Sequence, residues 1–163
     1  MELRNIEAKD FSQIANIYLE GIATGIATFQ TEAPEWQVWD NSHLPNCRIA
    51  VFVDKEMAGW ASLSPVSSRC VYAGVAEVSV YVAAKYRAKG VGKLLLLHLI
   101  EASEQVGFWT LQSGIFPNNI ASIKLHEQCG FRQIGYREKI GKKDGIWYDN
   151  IIMERRSKLI GVY

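Results

Sequence analysis

The sequence is poor in cysteine, in proline and in long apolar runs, and each shortage excludes a class of protein. It has only three cysteines among 163 residues, Cys47, Cys70 and Cys129. This odd, widely spaced set excludes a disulfide framework or a Cys-x-x-Cys metal site and fits a reducing compartment. The richest apolar run, residues 94–100, is far shorter than the roughly 20 residues that a transmembrane helix needs.

A surplus of charge of either sign is also missing. Lys and Arg number 18 against 17 Asp and Glu, a net charge of +1. Composition therefore predicts neither nucleic acid nor a membrane as partner, and any anion site must be local. The first five residues lack the pattern of a signal peptide, so we expect a cytoplasmic protein. With four prolines, no internal repeat and no low-complexity linker, we expect one domain over residues 1–163.

What is present is an alternation of strand and helix patterns. These patterns predict strands over 3–6, 49–53, 57–63, 75–82, 110–116, 133–140 and 147–153, and helices over 11–22, 92–106 and 119–128. The segment 27–39 is expected to be irregular or to hold a short helix. The order predicts an α/β fold, with a mixed central sheet flanked by helices on both faces. Its parallel crossover would consist of strand 75–82, helix 92–106 and strand 110–116.

A basic, glycine-containing loop follows strand 75–82. Residues 85–93 hold four cations and no acid, and Gly90 and Gly92 lie where the next helix begins. Glycines let a ligand approach the main chain, and free N–H groups at a helix N-terminus attract an anion such as a pyrophosphate. An ordinary turn with solvated lysines would look the same. No Ser or Thr follows Lys93, which excludes a Walker-type nucleotide loop.

A polar stripe marks the helix predicted over 119–128. Asn119, Ser122 and His126 are three and four residues apart, so their side chains share one helix face. On strand 75–82 the side chains alternate, with Glu77 on the polar face and Val80 on the apolar face.

Two of these motifs resemble the GNAT superfamily of N-acetyltransferases. Arg87-x-x-Gly90-x-Gly92 is similar to its acyl-CoA pyrophosphate loop, and the segment 117–131 is similar to its Asn-x-x-Ser helix, which ends in Gly-Phe. Within the superfamily the chain most resembles phosphinothricin acetyltransferases and their methionine sulfone or sulfoximine acetylating relatives. The matching stretches are Thr28-Phe29-x-Thr31-Glu32, Arg69-x-x-Tyr72, Glu77-x-Ser79-Val80-Tyr81-Val82 and Leu125-His126-Glu127.

The resemblance implies an acetyl-CoA-dependent N-acetyltransferase that acts on a small amino-acid analogue and needs no metal. It implies that main-chain groups of strand 75–82 hold the pantetheine and the acetyl group, that the basic loop holds the pyrophosphate, and that the polar stripe contacts the pantetheine arm. The implied cofactor residues are Val80, Tyr81, Val82, Arg87, Ala88, Lys89, Gly90, Val91, Gly92, Lys93, Asn119 and Ser122.

Two residues of the matching stretches are candidates for proton transfer. Glu77 is either the base that accepts the ammonium proton of the substrate or only its ionic partner. His126 lies, by resemblance, towards the thioester sulfur, where many members of the superfamily have a tyrosine acid. A neutral imidazole can hydrogen-bond a thiolate but protonates it only when charged, so His126 is either a charged acid or a structural or solvated histidine.

The resemblance also implies a substrate pocket. Arg69 would clamp a carboxylate or phosphinate, with Phe29, Thr31 and Tyr72 around it. Tyr148 stands where close relatives have histidine after tryptophan, which leaves the substrate open. Tyr148 is still expected to face the cleft and hydrogen-bond the substrate, and it is the alternative to His126 as the acid. Alternatives are another amine (a polyamine, an aminoglycoside or a protein N-terminus) or a CoA-binding sensor without turnover. A homodimer is expected from the branch, from five tryptophans and from the exposed hairpin 133–153.

Overall fold

One mixed sheet of seven strands organises the chain. The structure is a computed structural model that describes residues 1–163. Its strands are β1 (Glu2–Asn5), β2 (Ile49–Val53), β3 (Glu56–Pro65), β4 (Val75–Val82), β5 (Thr110–Ile115), β6 (Arg132–Lys143) and β7 (Ile146–Arg156). Its helices are α1 (Phe11–Ala23), α2 (Trp36–Ser42), α3 (Val91–Gln105) and α4 (Ile120–Gln128). The predicted element order and the mixed α/β class are confirmed, and the short helix in segment 27–39 is α2.

The sheet divides between its two central strands. The strand order is β1-β2-β3-β4-β5-β7-β6, and only β4 and β5 run parallel. Their pairing covers three residue pairs and ends at Glu77 and Gln112. Beyond that pair the strands separate, so the edge of residues 78–82 that faces β5 has no strand partner. This separation opens the sheet where the predicted site residues gather.

Helices cover both faces of the sheet, as expected. Leu95, Leu96 and Leu99 of α3 are fully buried in a cluster with Val78 of β4. Helical spacing puts these leucines on one stripe, and full burial of each contributes about 1.5–3 kcal/mol. On the opposite face α1 and α2 pack against Trp60 of β3 in a second apolar cluster. No helix of the fold has both the length and the apolar character required to cross a bilayer.

The last hairpin is longer and tighter than the sequence pattern predicts. Lys143 pairs with Ile146, so the turn contains only Asp144 and Gly145, with φ values of 50° and 78°. Positive φ at both positions is typical of the type I′ turn, which favours Asp-Gly. A register shift between Arg137 and Gly141 places two extra residues in β6. The Asp149 carboxylate accepts hydrogen bonds from the Lys139 amide and the Tyr136 hydroxyl and so holds this bulge.

Candidate active site

A cavity of about 1140 Å³ occupies the gap between β4 and β5. It extends from the N-terminus of α3, past the polar stripe of α4, to the residues between α1 and α2. Among the predicted site residues its lining includes Phe29, Glu77, Val80, Tyr81, Val82, Arg87, Ala88, Gly90, Gly92, Lys93, Asn119, Ser122 and His126. The fold therefore brings together most of the predicted site residues, from four separate parts of the chain.

The basic loop forms an open cradle at the start of α3. Gly90 adopts a φ of 83° and Ala88 a φ of 59°, which turns the chain sharply into the helix. The N–H groups of residues 88–93 make no hydrogen bond within the protein, and the first main-chain bond of α3 runs from the Leu94 amide to the Gly90 carbonyl. Unsatisfied amides together with the helix dipole attract an anion.

The cations of the loop do not all serve this cradle. Lys85 is exposed and forms an ion pair of 2.5 Å with Glu56. Arg87 donates to the Val82 carbonyl at 3.3 Å, and Arg87 and Lys93 line the cavity, whereas Lys89 and Val91 do not. The positive charge at the cradle therefore comes from the side chains of Arg87 and Lys93, together with the unsatisfied main-chain amides.

The free edge of β4 supplies main-chain groups for an extended ligand. Val80 and Val82 are half-buried, pack their side chains against the α3 cluster and still line the cavity. The side chain of Tyr81 points to the other face, where it stacks on Trp60 with ring centroids 5.0 Å apart. An extended ligand arm laid along this edge would bond to it as an added strand does.

The polar stripe of α4 is linked by hydrogen bonds. Asn119 caps the helix, since its Oδ1 accepts from the Ser122 amide at 3.3 Å, and its Nδ2 donates to the Ile26 carbonyl at 3.2 Å. One amide hydrogen of Asn119 therefore remains for a ligand. Asn119 also ties the residues between α1 and α2 to the mouth of the cavity.

His126 is held as a neutral imidazole. It is 3% exposed, and its Nδ1 lies 2.7 Å from the Ser122 carbonyl, to which it must donate. This bond leaves the lone pair on Nε2, which is buried and has no partner. Burial lowers the pKa of His126, which disfavours the charged ring, and the one N–H of the neutral ring is bonded to the Ser122 carbonyl instead of facing a thiolate. The structure supports the structural alternative for this residue.

Glu77 is the only carboxylate that lines the cavity. It lies at the last residue pair before β4 and β5 separate, opposite Gln112. Its side chain is exposed and makes no ion pair with another residue of the chain. A free carboxylate at the head of the gap is suited to bind an ammonium group and accept its proton.

The residues between α1 and α2 form a wall that the last hairpin supports. The Phe29 ring packs edge-on against Phe116 at 4.7 Å and against Tyr148 at 6.2 Å. A Cβ at Gly141 would lie 2.6 Å from the Phe29 ring, so glycine is needed there. Lys143 donates to the Gly25 carbonyl at 3.1 Å. Tyr148 thus supports the wall from behind and does not line the cavity.

Three predicted substrate residues besides Tyr148 lie outside the cavity lining. Arg69 and Tyr72 are exposed in the connection between β3 and β4, with the guanidinium 5.5 Å from the Tyr72 ring centre. Thr31 is also exposed. The cavity instead includes Arg137 and Asn150, which the sequence analysis missed. Alternation puts Asn150 on the same strand face as Tyr148, so its position could be predicted from the sequence. The bulge in β6 determines that Arg137 lies opposite Asn150, which the sequence pattern does not show.

Comparison with known proteins decides the family. The sequence profile of the acetyltransferase (GNAT) family matches residues 3–131. A phosphinothricin N-acetyltransferase of Streptomyces coelicolor is 31% identical over 155 residues, covering 90% of this chain and 91% of that protein. The chain belongs to the GNAT family. An L-methionine sulfoximine/L-methionine sulfone acetyltransferase of Pseudomonas aeruginosa is 36% identical over 99 residues, 61% of this chain and 58% of that protein.

A solved GNAT structure has the same architecture. It is the phosphinothricin acetyltransferase of Sinorhizobium meliloti in complex with AcCoA, with a TM-score of 0.89 and 27% identity, covering 99% of this chain and 91% of that one. This chain is accordingly an N-acetyltransferase that uses acetyl-CoA. The cavity fits that cofactor, because the amide cradle suits a pyrophosphate and the free edge of β4 suits an extended arm.

Proposed function

We propose that this GNAT enzyme acetylates the α-amino group of a small amino-acid analogue such as phosphinothricin or methionine sulfoximine or sulfone. The observation that carries the proposal is one continuous cavity that has an anion cradle at one end and a lone carboxylate, Glu77, at the head of the gap. The names of relatives 31–36% identical to the chain support this substrate class.

Acetyl-CoA supplies the reactive thioester, and residues of this chain bind and orient it. Amides of residues 88–93 hold the pyrophosphate, and the free edge of Val80 to Val82 holds the pantetheine arm, with Asn119 and Ser122 beside it. Glu77 binds the ammonium group and takes its proton, which makes the amine nucleophilic. A wall that includes Phe29 restricts access of water to the amine.

The proton donor for the departing thiolate is a separate question. His126 is neutral and its Nε2 carries a lone pair, so we assign it a positioning role: it fixes the Ser122 end of α4. Tyr148, the alternative acid, makes no hydrogen bond within the protein through its hydroxyl, but it lies behind the wall and does not line the cavity, so we assign it no proton transfer. Its ring packs on Phe116 at 5.4 Å, close to the cavity wall.

A panel of amines tests the proposed function. We expect thiol release from acetyl-CoA to be at least about tenfold more efficient, in kcat/KM, with phosphinothricin and methionine sulfoximine than with spermidine, an aminoglycoside or a peptide N-terminus. A higher kcat/KM with spermidine, the aminoglycoside or the peptide would mean that the substrate belongs to that class of amine instead. Tight acetyl-CoA binding without release on any amine would support a sensor instead.

We also propose that the protein forms a homodimer through its last hairpin. β6 is a sheet edge, and Tyr136, Ile140, Ile146 and Trp147 on the hairpin are each more than half exposed. An unpaired apolar edge of this length favours association. Sedimentation at micromolar concentration should give twice the chain mass of 18.4 kDa. Trp147→Glu should yield the monomer, and Leu97→Glu, an exposed change on α3, should not. A wild-type monomer would refute the proposal.

A further inference from the structure

Two polar side chains of the last hairpin face the cavity without a protein partner. Arg137 of β6 and Asn150 of β7 are directly paired in register and both line the cavity. Directly opposed residues project to the same face of a sheet. This is the face of Gly114 and Gln112, because a Cβ at Gly114 would lie 3.1 Å from the Asn150 amide. Register alternation puts Glu77 on that face as well.

The charge of Arg137 is uncompensated. The ion pairs of the chain do not include it, whereas Arg132 on the same strand pairs with Glu154 at 3.4 Å. Of the four cations that line the cavity, Arg87 and Lys93 lie at the amide cradle and Lys124 lies on α4. Arg137 is thus the one cation on the hairpin side, remote from the groups that suit a pyrophosphate.

The Asn150 amide adds a donor beside this charge. Its Oδ1 is buried without a partner, and its Nδ2 is neither buried nor bonded to the protein, which leaves Nδ2 open to the cavity. A guanidinium and an amide N–H on two directly paired residues that line one cavity are suited to a group with two anionic oxygens. The position of Arg137 is set by the bulge that follows it, which Asp149 fixes through Lys139 and Tyr136.

We infer that Arg137 and Asn150 form the subsite that binds the anionic group of the amine substrate, a carboxylate or a phosphinate. The inference rests on the proposed function and goes further, because it makes the hairpin the determinant of specificity for anionic amines. Glu77 then binds the ammonium end and the hairpin binds the anionic end of one small zwitterion. Arg69, the clamp implied by the family resemblance, is the competing candidate.

Three substrates distinguish the possibilities: phosphinothricin, methionine sulfone and 3-(methylsulfonyl)propylamine, which is methionine sulfone without its carboxylate. If Arg137 binds the carboxylate, Arg137→Met should lower kcat/KM for methionine sulfone by about 30-fold or more. If Arg137 binds the phosphinate, the same loss should be seen with phosphinothricin alone. The neutral amine should lose less than about threefold. Asn150→Asp, which sets a negative charge beside Arg137, should act in the same direction.

Matched variants make the result specific. Arg132→Met, on the same strand but outside the cavity, should leave all three substrates unchanged, and Arg137→Lys should recover part of the loss because it keeps the charge. Uniform losses across the three substrates, or no loss, would overturn the inference. The inference would also be overturned if Arg69→Met lowered kcat/KM selectively for the anionic substrates and Arg137→Met did not.

Binding separates this inference from the proposed function. If the wild type acetylates none of the three amines, the proposed substrate class fails, and titration of methionine sulfone and phosphinothricin in the presence of CoA then decides the subsite. If Arg137→Met binds either anion about 30-fold more weakly than the wild type, the inferred subsite is upheld. Absence of wild-type binding to both anions, or equal binding by wild type and variant, would overturn it.

Discussion

Glu77→Gln should reduce turnover by about 10²–10⁴-fold at neutral pH while acetyl-CoA binding stays nearly unchanged. The amide keeps the size of the side chain but cannot accept the ammonium proton. No second carboxylate lines the cavity, so no other carboxylate is placed to take over. The measurement is kcat from thiol release with an amino-acid analogue, together with the acetyl-CoA Kd from calorimetry.

The pH dependence separates a base from a simple ionic partner. As pH rises towards the pKa of the amine, the unprotonated fraction of substrate increases about tenfold per unit. A base role therefore predicts that the rate of Glu77→Gln approaches that of the wild type at high pH. A binding role predicts a raised KM with little change in kcat. Glu127→Gln, an exposed carboxylate of α4 outside the cavity, is the control and should change nothing. Equal wild-type and Glu77→Gln rates at neutral pH would remove Glu77 from catalysis.

Local sequence patterns were sufficient to predict the strand and the loop that we propose to bind acetyl-CoA. The alternation of Val78, Val80 and Val82 with polar residues predicts β4 with the bounds that the structure gives it, Val75–Val82. The glycines after it predict the turn into α3, and Gly90 does adopt a left-handed conformation. The strand depends on the two-residue alternation of side chains, and the turn depends on backbone sterics at glycine. Both are determined by residues close together in the sequence.

Features that depend on distant contacts were not predictable in the same way. The pairing of Arg137 with Asn150 depends on a bulge that the Asp149 carboxylate, on the partner strand, holds in place. The burial of His126 follows from its packing edge-on against Phe131, 5.0 Å away. The sequence places Arg69 next to Tyr72, and the structure does bring their side chains together, but the fold leaves both outside the cavity lining. The spacing of two residues in the sequence predicts that their side chains lie close together. Whether those side chains line a cavity depends on tertiary packing.

Gly92→Asp should weaken acetyl-CoA binding by at least about 100-fold. Gly92 lies in the first turn of α3 and lines the cavity beside the free amides of the cradle. A carboxylate at this position would itself accept hydrogen bonds from those amides and would repel a pyrophosphate. Losing two hydrogen bonds to a charged group, each worth about 1.5–3 kcal/mol, accounts for this magnitude. Calorimetry with acetyl-CoA gives the Kd directly.

Size and charge are separated by matched substitutions at the same residue. A Cβ at Gly92 would lie 3.2 Å from Leu125 Cδ2, so any side chain there displaces the end of Leu125 slightly, in Gly92→Ala as in Gly92→Asp. Gly92→Asn has nearly the shape of the aspartate without its charge, and we expect its Kd to fall between those of Gly92→Ala and Gly92→Asp. If all three bind acetyl-CoA equally weakly, crowding against α4 is responsible and the electrostatic argument fails. Wild-type affinity in a folded Gly92→Asp would mean that the pyrophosphate lies elsewhere, because no anion would occupy the cradle beside a fixed carboxylate.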